Sequence, residues 1–251
     1  MTMASTPSAV QAVLTTTMRS TLQPYPEGVP YKFSPHGTVQ RYPGNTTLCH
    51  VPTDSAILSG LQKLHTALKI HPRLSNRISL LPPASWHMTV VDGVCEEECE
   101  PGMWPVDMEK QHLEDSTAQF ANSLRHLGDL LEDEGLAPPY HMRFKFYDAN
   151  AVGLGIQVEG ATVEEEARMR RLRDRVADAM GFRAPRHATY GFHITVAYFL
   201  RHMDVEDMAE LNHIFATFLV ELDREFELGA VEFCTFENMH FFSRLFYVEK
   251  A

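Results

Sequence analysis

The chain has 251 residues, 44% apolar and 22% charged, which suits one domain or two small lobes sharing a core and excludes wholesale disorder. Its formal charge of −11 argues against a general polyanion binder, because non-specific nucleic-acid affinity comes from Lys and Arg neutralising phosphates. No stretch approaches the roughly 18 apolar residues of a membrane helix. The four cysteines, Cys49, Cys95, Cys99 and Cys234, form no C-x-x-C pair, so reduced thiols in a cytoplasmic protein are expected, with a Cys95–Cys99 disulfide as the alternative.

Residues 1–23 lack acids, are rich in Ser and Thr, and carry one arginine, Arg19. That is a thin likeness to an organellar transit peptide. Pro24, Pro26, Pro30 and Pro35 keep the next stretch out of a helix. The expectation is an extended or disordered arm over residues 1–35, followed by a bilobal domain over 36–251.

The apolar run Thr47–Val51 is the first strand. A helical stripe follows, Ile57, Leu58, Leu61, Leu64 and Leu68, with Thr53 or Asp54 as the N-cap. A strand over Arg77–Leu81 leads to Ser85-Trp-His-Met-Thr-Val-Val91. Gly93, Pro101, Gly102 and Pro105 mark residues 92–105 as a surface loop, with Trp104 packing it down. Phe120, Leu124, Leu127, Leu130 and Leu131 form the next helical stripe, and Met142–Tyr147 the next strand.

The order then repeats. Gly153–Val158 reads as a strand, and Thr162-x-x-Glu165 opens a helix with capping-box spacing. That helix carries Met169, Leu172, Val176 and Met180 and stops near Gly181. It leads to Gly191-Phe-His-Ile-Thr-Val-Ala197. A helix with Met208, Leu211, Ile214, Phe215, Phe218 and Leu222 follows, then strands over 226–236 and 241–248. Cys49 precedes His87, and Gly155 precedes His193, by the same number of residues. The reading is an α+β fold built from duplicated βαβαβ units, two pseudo-twofold-related lobes around a cleft lined by two His-x-Thr strands.

In a strand, residues i and i+2 share a face. His87 therefore projects with Thr89, and His193 with Thr195, while Trp86, Met88, Phe192 and Ile194 turn to the core. Two imidazoles and two hydroxyls around one point suit phosphodiester cleavage. One neutral His takes a proton from the attacking oxygen and one protonated His gives a proton to the leaving oxygen. The threonines can hold the non-bridging oxygens. No metal or cofactor is called for.

These paired motifs resemble the two-histidine (2H) phosphoesterase superfamily, which includes 2′-5′ RNA ligase-like proteins and cyclic nucleotide phosphodiesterases. The stretches Gly44-Asn-Thr46, His87–Gly93 and Tyr190–Tyr198 look closer still to a eukaryotic branch of it. The resemblance spans roughly residues 40–248 and implies His87 and His193 as acid and base, with Thr89 and Thr195 as phosphate holders. Several members carry an arginine five residues after a motif histidine. Here those positions are Asp92 and Tyr198, and an aspartate beside a phosphate is unfavourable unless it points away.

Three further candidates bind substrate. Arg143 and Lys145 share a strand face and could attract phosphate. Tyr198 could stack on a base, although strict alternation turns it away from His193 unless a bulge or strand end intervenes. Arg168, Arg170, Arg171, Arg173 and Arg175 read as a solvated, salt-bridged helix face next to Glu164–Glu166, with an RNA-contacting patch as the minority reading. His36, His50, His187 and His202 read as ordinary surface or core residues.

The function expected is a metal-independent hydrolase of 2′,3′-cyclic phosphates or related small nucleotide phosphodiesters, working as a monomer away from membranes. The alternatives are an RNA-end-processing or 2′-5′ ligase-like enzyme, and a non-catalytic nucleotide-binding protein that keeps the pocket.

Overall fold

The computed structural model describes residues 23–96, 110–181, 183 and 186–250. The arm up to Leu22, together with Cys99 and Trp104, lies outside the described residues. Those described form nine strands and five α-helices. The first half holds β1 (Gly44–His50), α1 (Leu58–Ile70), β2 (Ile78–Leu80), β3 (His87–Cys95), α2 (Leu113–Arg125), α3 (Leu127–Asp133) and β4 (Tyr140–Ala149). The second holds β5 (Gly153–Gly160), α4 (Val163–Met180), β6 (His193–Phe199), α5 (Val205–Leu222), β7 (Glu225–Leu228), β8 (Glu232–Asn238) and β9 (Phe241–Tyr247).

All these strands join one antiparallel sheet in the order β7-β4-β5-β6-β3-β1-β8-β9, with β2 on β6. The duplication is visible in that order, but the halves trade strands. β4, from the first half, pairs with β5 and β7. β8, from the second half, pairs with β1. The helices cross in the same sense, α1 packing on α5 and α2 on α4. Each lobe is therefore completed by the other half of the chain, and neither half can bury its apolar faces alone.

Local signals account for most boundaries. Thr162 caps α4 through the Glu165 amide at 3.1 Å, and Gly181 closes it at φ 82°. Asp204 and Asp207 form a reciprocal capping box at the start of α5. The N-cap of α1 is Ile57 rather than Thr53 or Asp54, because turns over 52–58 delay the helix. The helical stripe over 120–131 breaks at His126 into α2 and α3. The strand expected over 226–236 splits around Gly229 into β7, at one edge of the sheet, and β8, next to the edge strand β9 on the other side.

Two boundaries bear on the site. β3 runs on through Cys95, so residues 92–95 are strand, not the start of a loop. The proline-rich segment 24–33 is a series of turns rather than an extended arm, and it packs on the body: Val29 is almost fully buried and Phe33 completely so. The body therefore includes these residues, ahead of the expected boundary at 36.

Candidate active site

Trp86, Met88, Phe192 and Ile194 are all buried on the core face of the sheet. Alternation then sends His87, Thr89, His193 and Thr195 to the opposite face, where all four line one cavity of about 460 Å³. That volume falls in the usual range for small-ligand sites. The lobes meet at Met88, whose Cα register partner is Ile194. These are the middle residues of the two motifs. Antiparallel register around this pair brings each histidine towards the threonine of the other motif.

Both imidazoles are fixed in the same way. His87 Nδ1 lies 2.7 Å from the Ser85 carbonyl, and His193 Nδ1 lies 3.0 Å from the Gly191 carbonyl. A carbonyl only accepts, so each Nδ1 carries the proton and donates it. In neutral rings Nε2 is left as the acceptor, on the far side of the ring from its anchor. Burial lowers the pKa of His87 to about 4, with neighbouring His50 and His193 adding to the effect against the Ser85 bond and Glu232. His87 is therefore neutral at neutral pH. The Phe242 ring packs against it, 4.3 Å between centroids.

Each motif is followed by a β-bulge at the same place. On β3, Thr89 pairs with Leu48 but Val91 with Thr47, so Val90 is the extra residue. On β6, Thr195 pairs with Gly155 but Ala197 with Leu154, so Val196 is the extra residue. An extra residue inverts the alternation beyond it. The residues five places after the histidines, Asp92 and Tyr198, are thereby turned into the cavity, and both line it. The bulge that Tyr198 needed is present. Asp92, in contrast, does not point away.

The pairing also refines the repeat. Leu48, not Cys49, is the counterpart of Gly155, so the lead-in to the motif is one residue longer in the first half. Gly153 and Gly155 serve close packing. A Cβ on Gly153 would run into the Ala197 carbonyl oxygen, and one on Gly155 would lie 2.8 Å from that of Ile194.

Arg143 and Lys145 are not brought to the cavity. Both are half-exposed and share Glu159, at 2.6 and 2.9 Å. Glu159 lies two residues beyond Gln157, the strand partner of His193, so the pair sits outward of the site along β5. The two carboxylate contacts hold Glu159 below the usual carboxylate range against its own burial.

Several site residues carry no motif. Lys32 lines the cavity, its ammonium 4.9 Å from the Tyr42 ring centre and 5.7 Å from that of Tyr198. Its only advance signal is position, one residue before the buried anchor Phe33. His50 pairs with His87 across β1 and β3 and holds Glu232 at 2.9 Å. His50, Glu232 and Cys234 offer donor atoms within 4.8 Å of one another. Arg244 also donates to the same Glu232 oxygen, at 3.2 Å, and a guanidinium there opposes a bound dication. Burial raises the Cys234 thiol to about 12 and the Cys49 thiol further still, which makes both poor nucleophiles.

The arginine run on α4 is mostly the salt-bridged face expected, with Arg168 on Glu165, Arg170 on Glu166 and Arg175 on Glu134. Arg173 is the exception. It is buried, donates to the carbonyl of the bulge residue Val90, and stacks 4.1 Å from the Tyr190 ring centre. His187 is tied to it and to Asp174, so it is a structural link at this point.

Residues 32–136 match the 2H-phosphodiesterase family model, a domain of unknown function (DUF1868). A conserved protein of unknown function from Agrobacterium tumefaciens str. C58, ATU0111, has a similar solved structure. The two are 26% identical, with a TM-score of 0.79 over 90% of this chain and 94% of that one. TT0787 of Thermus thermophilus is more distant, at 13% identity and a TM-score of 0.42 over 78% of this chain and 87% of its own. A comparison with curated proteins gives no match. No helix among the described residues is long and apolar enough to cross a membrane.

Proposed function

We propose that the chain, whose residues 32–136 match the 2H-phosphodiesterase family model, is a metal-independent phosphodiesterase hydrolysing 2′,3′-cyclic phosphates or related small nucleotide phosphodiesters. The observation that carries the proposal is the matched anchoring of the two imidazoles. Each Nδ1 is committed to a carbonyl and each ring opens on the same cavity.

His87 is the general base in this reading, because its lowered pKa keeps it unprotonated at working pH. Its Nε2 takes a proton from water as the water oxygen bonds to phosphorus. The bond from phosphorus to the departing ribose oxygen breaks, and His193 Nε2–H protonates that oxygen. Thr89 and Thr195 donate to the non-bridging oxygens as charge accumulates there. The product is a phosphomonoester, and each turnover leaves His87 protonated and His193 neutral until solvent resets them.

The substrate is small in this reading. The cavity is nucleotide-sized, and the net charge of −11 disfavours a long RNA track. Tyr198, half-buried on the cavity wall, offers aromatic surface to a base. The test is a panel of 2′,3′-cyclic nucleotides, short RNAs with cyclic or 2′-5′ linked ends, and ADP-ribose 1″,2″-cyclic phosphate, each incubated with EDTA. Turnover of the small cyclic phosphates, with the product isomer read by ³¹P NMR, supports the proposal. Turnover confined to RNA ends would favour the RNA-processing alternative. Binding without turnover would favour the nucleotide-binding one.

A further inference from the structure

The two motif histidines have matching neighbours on the next strand. His50 on β1 pairs with His87, and Gln157 on β5 pairs with His193. Each neighbour gives its side chain to an acid one strand further out. His50 Nδ1 lies 2.9 Å from Glu232 on β8, and Gln157 Nε2 donates to Asp148 on β4 at 3.1 Å. The acids match as well. Glu232 pairs with Leu48 and Asp148 with Gly155, the two residues that pair with the motif threonines. The duplication therefore carries a second set of polar groups, outward of the His-x-Thr strands.

The two acids meet different surroundings. Glu232 is almost fully buried, its carboxylate is taken by His50 and Arg244, and Leu48 beside it is buried completely. Neither residue is part of the cavity lining among the described residues. Asp148 does line the cavity, as do Gln157 and Gly155. Its Oδ2 accepts from Asn150 Nδ2 at 3.2 Å and from Gln157 Nε2. Both donors are neutral amides, so neither cancels the carboxylate's charge. Asn150 is itself fixed in the β4–β5 turn, its Oδ1 accepting the amides of Val152 at 2.8 Å and Gly153 at 3.1 Å. Asp148 Oδ1 accepts no hydrogen bond among the described residues.

Thr195, Gly155 and Asp148 form one row across β6, β5 and β4. Neighbouring strands lie about 4.8 Å apart, so the row spans about 10 Å. Gly155 in its middle has no side chain, which leaves the floor open between Thr195 and Asp148. A carboxylate oxygen at the far end of that floor repels phosphate and favours hydroxyl or N–H donors.

We infer that Asp148 is a substrate-binding residue whose Oδ1 accepts a hydrogen bond from the nucleoside part of the substrate, a sugar hydroxyl or a base N–H, with Asn150 and Gln157 holding the carboxylate in place. The matching acid of the first half is closed off, so the nucleoside lies over β5 and β4. That is the His193 side of the cavity, where the departing ribose oxygen is protonated.

This inference rests on the phosphoesterase reading, so its test uses binding rather than turnover. The adenosine, guanosine, cytidine and uridine 3′-monophosphates, methyl riboside 3-phosphate and inorganic phosphate are titrated by calorimetry, at fixed ionic strength, into the full chain and its variants. Asp148→Asn keeps the size of the side chain and can keep the bonds from Asn150 and Gln157 through its carbonyl, but it presents an N–H in place of the open oxygen. Asp148→Asn and Asp148→Ala are each expected to weaken the tightest-binding nucleoside monophosphate about tenfold or more, and to bind inorganic phosphate at least as tightly as wild type. A parallel loss for methyl riboside 3-phosphate assigns the donor to a sugar hydroxyl, and a loss for the nucleotides alone assigns it to a base N–H. A merely structural Asp148 would weaken nucleotides and inorganic phosphate alike, and that outcome overturns the inference. Nucleotide binding that the variants leave unchanged overturns it too, as does wild type that binds every nucleotide no more tightly than inorganic phosphate. Should Asp148→Ala not fold, the isosteric Asp148→Asn decides. Wild type that binds neither nucleotides nor phosphate overturns the phosphoesterase reading beneath it, a result distinct from nucleotide binding that does not depend on Asp148.

Discussion

Met88 and Ile194 face each other across the junction of β3 and β6, each at the centre of its own His-x-Thr motif. The pseudo-twofold axis passes through this pair. Both side chains are fully buried, so the seam between the halves is apolar on one face and carries the two histidines and two threonines on the other. Symmetry of the backbone there does not make the two histidines equivalent. His87 lies under Phe242, beside His50 and Glu232, and its protonated form is disfavoured.

That inequality gives a pH dependence. A base of pKa about 4 stays competent well below the usual histidine value of about 6.5. The acidic limb of kcat/KM is therefore expected near pH 4, measured on a 2′,3′-cyclic nucleotide. Stability follows the same group. The unfolded chain binds a proton at His87 from about pH 6.5 downward, while the folded chain does so only near 4. Between those values the unfolded state holds more protons, so His87's contribution to stability falls as pH falls. His87→Gln should flatten that part of the urea midpoint against pH. An undiminished slope in the variant would show the slope comes from other groups.

The bulges are held by close backbone contact, and this too can be measured. A methyl group on Gly153 runs into the Ala197 carbonyl, next to the bulge that turns Tyr198 inward. Gly153→Ala is expected to cost about 1–3 kcal/mol in urea unfolding and to reduce turnover. Gly229→Ala is the control, since a methyl there meets nothing within 4 Å, and its midpoint should stay within about 0.5 kcal/mol of wild type.

Arg143→Ala and Lys145→Ala should leave turnover and phosphate binding unchanged within about twofold, because Glu159 engages both at the outer end of β5. Such exposed pairs contribute about 0–1 kcal/mol. A loss of activity in either variant would place the substrate further along the strand than the cavity does.

Much of the site was legible because its signals are local. Two residues apart on a strand means one face, so His87 with Thr89 and His193 with Thr195 follow from spacing alone. Caps such as Thr162 and Gly181 are local as well. The bulges were not legible, because Val90 and Val196 look like ordinary strand residues. Their effect appears only when β1 and β5 fix the register, and it decides where Asp92 and Tyr198 point. Arg143 and Lys145 were misjudged for a related reason. Alternation gives their face but not their position along it or their partner, Glu159. Arg173 was hidden within a run of arginines whose other described members, Arg168, Arg170 and Arg175, are paired with glutamates, and its partner Val90 lies 83 residues away. The exchange of β4 and β8 between lobes depends on long-range pairing that no local pattern encodes.

The central claim is that His87 and His193 act as one catalytic pair, and its most direct measurement compares His87→Ala, His193→Ala and the double variant in turnover of a 2′,3′-cyclic nucleotide with EDTA present. Each single variant is expected to lose about 10²–10⁴-fold, and the double variant less than the product of the two losses, since groups acting in one step are not additive. Activity that survives both substitutions, or that EDTA abolishes in wild type, would contradict the account.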